Sequence, residues 1–184
     1  PLFDLWARLR SPYGRYSAAF GIDLEPVHRS PELLVVCVNT TRPWRHKDGE
    51  VSALQIDRVA RLVEHADPAQ LRVVVVHQPI AVTRAEEEPN RLRGHAAALQ
   101  PWAEAGADLV MGGHIHLPYV MPLQGLAGTA VSSRVRDGMP NSVNLLRWGA
   151  DAAPGCCRIE QWDYKGDDRA FRLAKVSEVR PDRT

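Results

Sequence analysis

The chain has 184 residues, a hydrophobic fraction of 45% and a formal net charge of +1. That length suits one domain with a sizeable core, and the near-neutral charge gives no bulk signal for nucleic acid or a membrane surface. Cys37, Cys156 and Cys157, the last two adjacent, do not make a disulfide framework, so a reducing, cytoplasmic setting is the simplest expectation. No apolar run approaches the ~20 residues of a membrane span, and no signal peptide is visible. Pro1 in place of a methionine points to a processed chain or a piece of a longer one.

In chain order, "PLFDLWARLRSPYGRYSAAF" reads as two helical pieces broken at Pro12. "ELLVVCVN", Glu32 to Asn39, is a continuous apolar run and reads as a buried strand. The polar stretch from Thr40 to Glu50, which holds His46, is a loop that could cover a site beside it. Ser52 caps a helix that sets Leu54, Val59, Leu62 and Val63 mainly on one face. "LRVVVVHQP" is a second strand ending at Pro79, and the charged segment from Thr83 to Arg93 is a loop. Gly94 to Ala105 is helical and stops at Gly106, and "ADLVMGG" is a third strand. The alternation predicts a βαβαβ unit with parallel pairing. Short strands separated by turns follow and predict an antiparallel set: "YVMPL", "LAGTAVSS", "SVNLLRW", "CCRIEQWDY" and "AFRLAKV". Residues 1–176 form a single domain on this reading, with 177–184 as a tail.

Functional groups in an open α/β sheet gather where strands give way to loops. His77 ends the second predicted strand and His114 the third, the latter just after Gly112 and Gly113. Those glycines permit an unusual backbone angle or a close approach, letting His114 and His116 turn toward one place. Imidazole is a neutral donor suited to zinc, iron or manganese. A lone histidine after a strand is more often a hydrogen-bonded surface residue, and that reading holds for His77 by itself. The glycine-flanked His114–His116 pair favours a ligand role. His28 and His46, placed in loops, His65 at a helix end and His95 at a helix start read as structural or solvated.

"VVVVHQP" followed by "VMGGHIHLP" resembles the C-terminal half of the calcineurin-like metallophosphoesterases. In that family an apolar strand runs into His-His-Pro or a similar triplet, and a later strand into Gly-His-x-His. Here the triplet is His77-Gln78-Pro79 and the closing motif is Gly113-His114-Ile115-His116. "NTTR" from Asn39 and "GTAVSSRVRDGMPNSVNLL" from Gly128 are similar to segments of bacterial members. The resemblance reaches to about Trp148. It implies the C-terminal part of an α/β/β/α sandwich and a phosphodiesterase or phosphatase acting through two divalent ions, manganese, iron or zinc. It further implies that His77 and His114 hold the second ion and His116 the first. Arg134, Arg136 and Asn141 are candidates for holding phosphate, since the arginine fork matches phosphate oxygens.

The family's Asp-x-His, Gly-Asp-x-x-(Asp/Asn) and Gly-Asn-His-Asp motifs have no counterpart in the chain. "KGDD", Lys165 to Asp168, follows the histidines and stands in the wrong order. "PLFDLWARL" resembles the segment that follows Gly-Asn-His-Asp in the family. A three-imidazole set can hold one zinc but cannot neutralise and bridge two dications. A complete centre therefore needs the other half, in cis or from another chain. The alternatives are a mononuclear three-histidine protein and a non-catalytic binding domain on the same fold. The first predicted strand is expected to present a bare edge.

Overall fold

The computed structural model describes residues 11–42, 45, 48–115, 120–123, 126–130 and 140–181. Helix α1 (Gly14–Phe20) leads the described chain and buries none of its residues. Then come β1 (Val27–Arg29), β2 (Leu33–Cys37), α2 (Ala53–Glu64), β3 (Leu71–Val75), α3 (His95–Glu104) and β4 (Leu109–Gly112). They are followed by β5 (Val120–Leu123), β6 (Leu126–Ala130), β7 (Ser142–Arg147), β8 (Cys157–Lys165) and β9 (Ala170–Val179). No described helix is long and apolar enough to cross a membrane.

The larger sheet has the order β1-β2-β3-β4-β6-β5. β2, β3, β4 and β6 run parallel, while β1 and β5 pair antiparallel at the two edges. The βαβαβ expectation holds in order and direction. Three other expectations change here. His28 lies on β1 rather than in a loop, and β1 covers the flank of β2 that was expected to be bare. The late strands also divide: β5 and β6 join the large sheet, while β7-β8-β9 form a separate antiparallel sheet.

β2, β3 and β4 read as unbroken apolar runs because both of their faces are covered. Leu34, Val36, Val74 and Val110 face α2 and α3, meeting Ile56, Val59, Val63, Ala98 and Trp102. Leu33, Val35, Leu71, Val73, Leu109 and Met111 face the second sheet, meeting Leu146, Trp148, Cys157, Ile159 and Val179. The result is three layers: helices, large sheet, small sheet. Trp102 is fully buried and its indole N–H donates to the Ile56 carbonyl, tying α3 to α2. The outer face of the small sheet shows Val143, Leu145, Tyr164, Phe171, Leu173 and Val176 to solvent.

Local signals account for the helix ends. The Ser52 hydroxyl accepts from the Gln55 N–H at 3.3 Å, and the Gln55 side chain accepts from the Ser52 N–H at 3.0 Å, a capping box. Ile56, Val59 and Val63 face the core, whereas Leu54 is 80% exposed, so the apolar stripe of α2 starts at Ile56 rather than Leu54. α3 ends as expected, with Gly106 at φ +92°. β9 runs on to Val179, through part of the segment read as a tail.

Candidate metal centre

β3 and β4 are adjacent and parallel, with Val75 opposite Met111. Two residues further along each strand lie His77 and Gly113, and the Gly113 N–H donates to the His77 carbonyl at 2.8 Å. This register brings the two strand-end turns together at the carboxyl edge of the sheet. His114 Nδ1 stands 3.3 Å from His77 Nε2, and the rings meet edge to face with centroids 5.1 Å apart. His77 and His114 are therefore brought together. His116, Arg134 and Arg136 lie outside the described residues.

The two turns are built differently. His77 is followed by Gln78, whose side chain is buried and accepts from the Thr40 hydroxyl at 2.8 Å. Gly49 lies directly against that amide: a Cβ there would sit 1.9 Å from Gln78 Oε1. The Pro79 carbonyl accepts from the Leu92 N–H at 2.9 Å. Gln78, which stands where the resemblance leads to a second histidine, thus locks the loop after β2 onto the loop after β3.

At His114 the backbone itself is unusual. Its φ is +70°, and the Ile115 N–H closes back onto the Gly113 carbonyl at 2.8 Å, which makes His114 the apex of a γ-turn. A left-handed backbone at a residue bearing a Cβ costs about 1–2 kcal/mol. The sequence reading allowed the glycines either an unusual angle or a close approach; the structure puts the unusual angle on His114. Gly112 instead provides close approach, since a Cβ there would lie 3.0 Å from Pro79 Cα and 3.2 Å from the Gln78 carbonyl oxygen. Buried Ile115 anchors the far side of the turn.

A charged pair lies beside the Gln78 clamp, on either side of the Gly49 contact. Arg93 Nε and Nη2 donate to Asp48 Oδ2 at 3.1 and 2.6 Å. The hydrogen bond from Arg93 holds the Asp48 carboxyl below the usual carboxylate range; burial opposes this, and the positive charges of Arg93 and Arg45 add to it. Asp48 sits in the Thr40–Glu50 loop next to Gly49, which packs on the Gln78 side chain; His46 lies outside the described residues. Sequence reading passed over Asp48 and Arg93, and noted Gln78 only as a departure within the triplet. The one local hint was the Asp48–Gly49 dipeptide, a turn signal.

Asn141 immediately precedes β7. Gly149, beyond the other end of β7, lies against Glu32, which precedes β2. β7 therefore starts at the end of the sandwich where β3 and β4 finish. Asn141 belongs to the histidine end, and its buried side-chain oxygen has no hydrogen-bond partner. Of the remaining histidines, His65 Nδ1 lies 2.8 Å from the Arg61 carbonyl oxygen and His95 Nδ1 2.8 Å from the Leu92 carbonyl oxygen, in keeping with structural roles. Cys157 is pushed up to about 12, first by burial and then by Cys156 and Asp108, so it stays a thiol.

The histidine pair fits one metal ion on distance and on donor chemistry. Two nitrogens bound to a tetrahedral zinc at about 2.0–2.1 Å stand roughly 3.3–3.4 Å apart, which is the separation observed here. Among the described residues no group of three or more His, Cys, Asp or Glu side chains is close enough to hold an ion.

No family model matches the chain, and no curated protein matches it in sequence. Among solved structures, Vps29 from Entamoeba histolytica is similar at 13% identity with a TM-score of 0.35, over 79% of this chain and 98% of that one. A putative 5'-nucleotidase from Staphylococcus aureus, in complex with alpha-ketoglutarate, is similar at 12% identity with a TM-score of 0.38, over 86% of this chain and 30% of that one. Likenesses this distant establish neither a family nor an activity.

Proposed function

We propose that the chain carries the histidine half of a metal-dependent phosphoester hydrolase, a phosphodiesterase or phosphatase with a two-ion centre. The observation that carries this reading is the 3.3 Å approach of His114 Nδ1 to His77 Nε2 at the carboxyl edge of the parallel strands. His77 and His114 share one divalent ion, manganese, iron or zinc. His116, one residue past Ile115, serves the other. A divalent ion in such a centre lowers the pKa of a bound water and offsets charge developing on phosphate oxygens.

The chain's own residues supply position. The Gln78–Thr40 clamp fixes the backbone from which His77 projects. The γ-turn fixes the direction of His114. Asn141 serves phosphate oxygens from the start of the small sheet, and Arg134 and Arg136 are further candidates for the same role. The bridging carboxylates come from a segment outside these residues, in the same polypeptide or in a partner chain.

The test has two parts. Mn²⁺ added to the chain should broaden the imidazole NMR signals of His77 and His114, and His77→Ala or His114→Ala should weaken Mn²⁺ binding at least tenfold. A longer chain that includes the carboxylate-bearing motifs should hydrolyse a generic phosphodiester with Mn²⁺, and His114→Ala should abolish that activity. Full activity in the His114→Ala protein rules the assignment out. A chain that takes up no divalent ion is a binding domain on this fold instead.

A further inference from the structure

We infer that Arg93, aimed by Asp48, is the phosphate-binding arm of the histidine site. The inference rests on the phosphoester reading above and names the group that recognises the substrate's anionic oxygens. The Arg93 backbone is fixed first: its N–H donates to the Gly49 carbonyl at 3.0 Å, and its carbonyl accepts from the Val51 N–H at 3.1 Å. These bonds tie the segment before α3 to the loop after β2 through a parallel bridge between Glu50 and Arg93. Gly49 presses on the Gln78 side chain, and Gln78 adjoins His77. The guanidinium is fixed next, by Nε and Nη2 on a single carboxylate oxygen of Asp48.

Arg93 therefore has a held backbone, one held edge, and a side chain that remains 55% exposed. A guanidinium pinned along one edge keeps its Nη1 edge for a second anion, and the planar fork suits phosphate oxygens. The other nearby arginines are committed elsewhere. Arg42 donates to the Asn39 and Thr41 carbonyls and to Gln55, and Arg45 pairs with Glu50. Arg91 pairs with Glu88. Asp48 is the positioning residue in this arrangement: it orients Arg93 and makes no contact with the phosphate.

The experiment uses the whole chain and inorganic phosphate as the probe. Mn²⁺ is titrated first, followed by broadening of the His77 and His114 signals. Phosphate is then titrated by calorimetry into the Mn²⁺-loaded protein. Arg93→Ala should weaken phosphate binding about tenfold and leave Mn²⁺ affinity within about twofold. Arg93→Lys, which keeps the charge and the stem, should recover part of the loss but not the whole. Asp48→Asn should weaken phosphate binding by a smaller factor, about threefold, because the arm is then present but not aimed. Phosphate affinity unchanged in Arg93→Ala, with Mn²⁺ bound normally, overturns this inference and leaves the metal reading standing. No Mn²⁺ uptake by the wild-type chain overturns both.

Discussion

The two histidine turns sit side by side at one sheet edge and are stabilised by opposite means. The turn after β3 is relaxed and clamped: Gln78 is buried, bonded to Thr40 and flush against Gly49, and Pro79 is bonded to Leu92. The turn after β4 is strained and braced, with His114 at φ +70° between the close-packed Gly112 and the buried Ile115. One histidine is placed by polar contacts between loops, the other by its own backbone. A site assembled this way is pre-organised from two independent directions. The strain at His114 is tolerated because the neighbouring packing over-determines it.

The largest expected effect comes from the residue both turns share. Gly112→Val puts side-chain atoms against the Gln78–Pro79 backbone, which cannot rotate away as a side chain would, and should cost about 3 kcal/mol. Chemical denaturation measures the loss, and the signals of both histidines should shift together. A shift at His114 alone would mean that the turns are not coupled through Gly112.

Thr40→Val tests the clamp by itself. It leaves the buried Gln78 amide oxygen without its donor, at a cost of about 1–3 kcal/mol. His77 should broaden or shift while His114 keeps its signal. Gly49→Ala should give the same pattern by forcing the Gln78 amide out of place. A substitution that disturbs His114 more than His77 would reverse the assignment of roles.

A smaller effect, opposite in sign for the two turns, is expected from His→Gly exchange. His114→Gly removes strain of about 1–2 kcal/mol against an added chain-entropy cost of about 0.5–1 kcal/mol. Stability should therefore hold or rise slightly. His77→Gly has no strain to release and should lose about 1 kcal/mol. Thermal unfolding of both variants distinguishes the cases, and equal losses would contradict the γ-turn account.

The smallest effect is electrostatic. The Asp48 carboxyl lies below its usual range, chiefly through the Arg93 hydrogen bond. Its contribution to stability is thus full above the unfolded carboxylate pKa of about 3.9 and is lost as pH falls through the lower folded value. Asp48→Asn should be less stable than wild type at neutral pH, and the two should converge in acid. A difference that persists in strong acid would place the effect of the substitution outside the carboxylate charge.

Much of the fold was legible because its signals are local. The apolar runs of β2, β3 and β4, the Ser52 cap and the Gly106 stop each act within a few residues. β1 escaped notice because three residues, Val27–Arg29, all exposed, carry no burial pattern. Leu54 was misplaced because the stripe on α2 can be drawn from either end of the first turn, and only packing against Val36 and Trp102 decides which. His77 and His114 were legible as strand-end residues. Asp48, Arg93 and Gln78 were not, because a charged or amide side chain in a loop looks the same whether it meets solvent or a neighbouring loop.

By itself the sequence determined the parallel βαβαβ order, the strand ends that carry the histidines, and the lack of the expected carboxylate motifs within these residues. These follow from periodicity, turn chemistry and motif order, which are properties of neighbours along the chain. Only the tertiary structure decided that β3 and β4 lie adjacent in a register that sets His77 Nε2 beside His114 Nδ1, that the strain falls on His114 rather than on its glycines, and that Asp48 pairs with Arg93 across two loops. Those are contacts between residues tens of positions apart, created when strand pairing and loop packing close the sheet edge, and no local pattern encodes them.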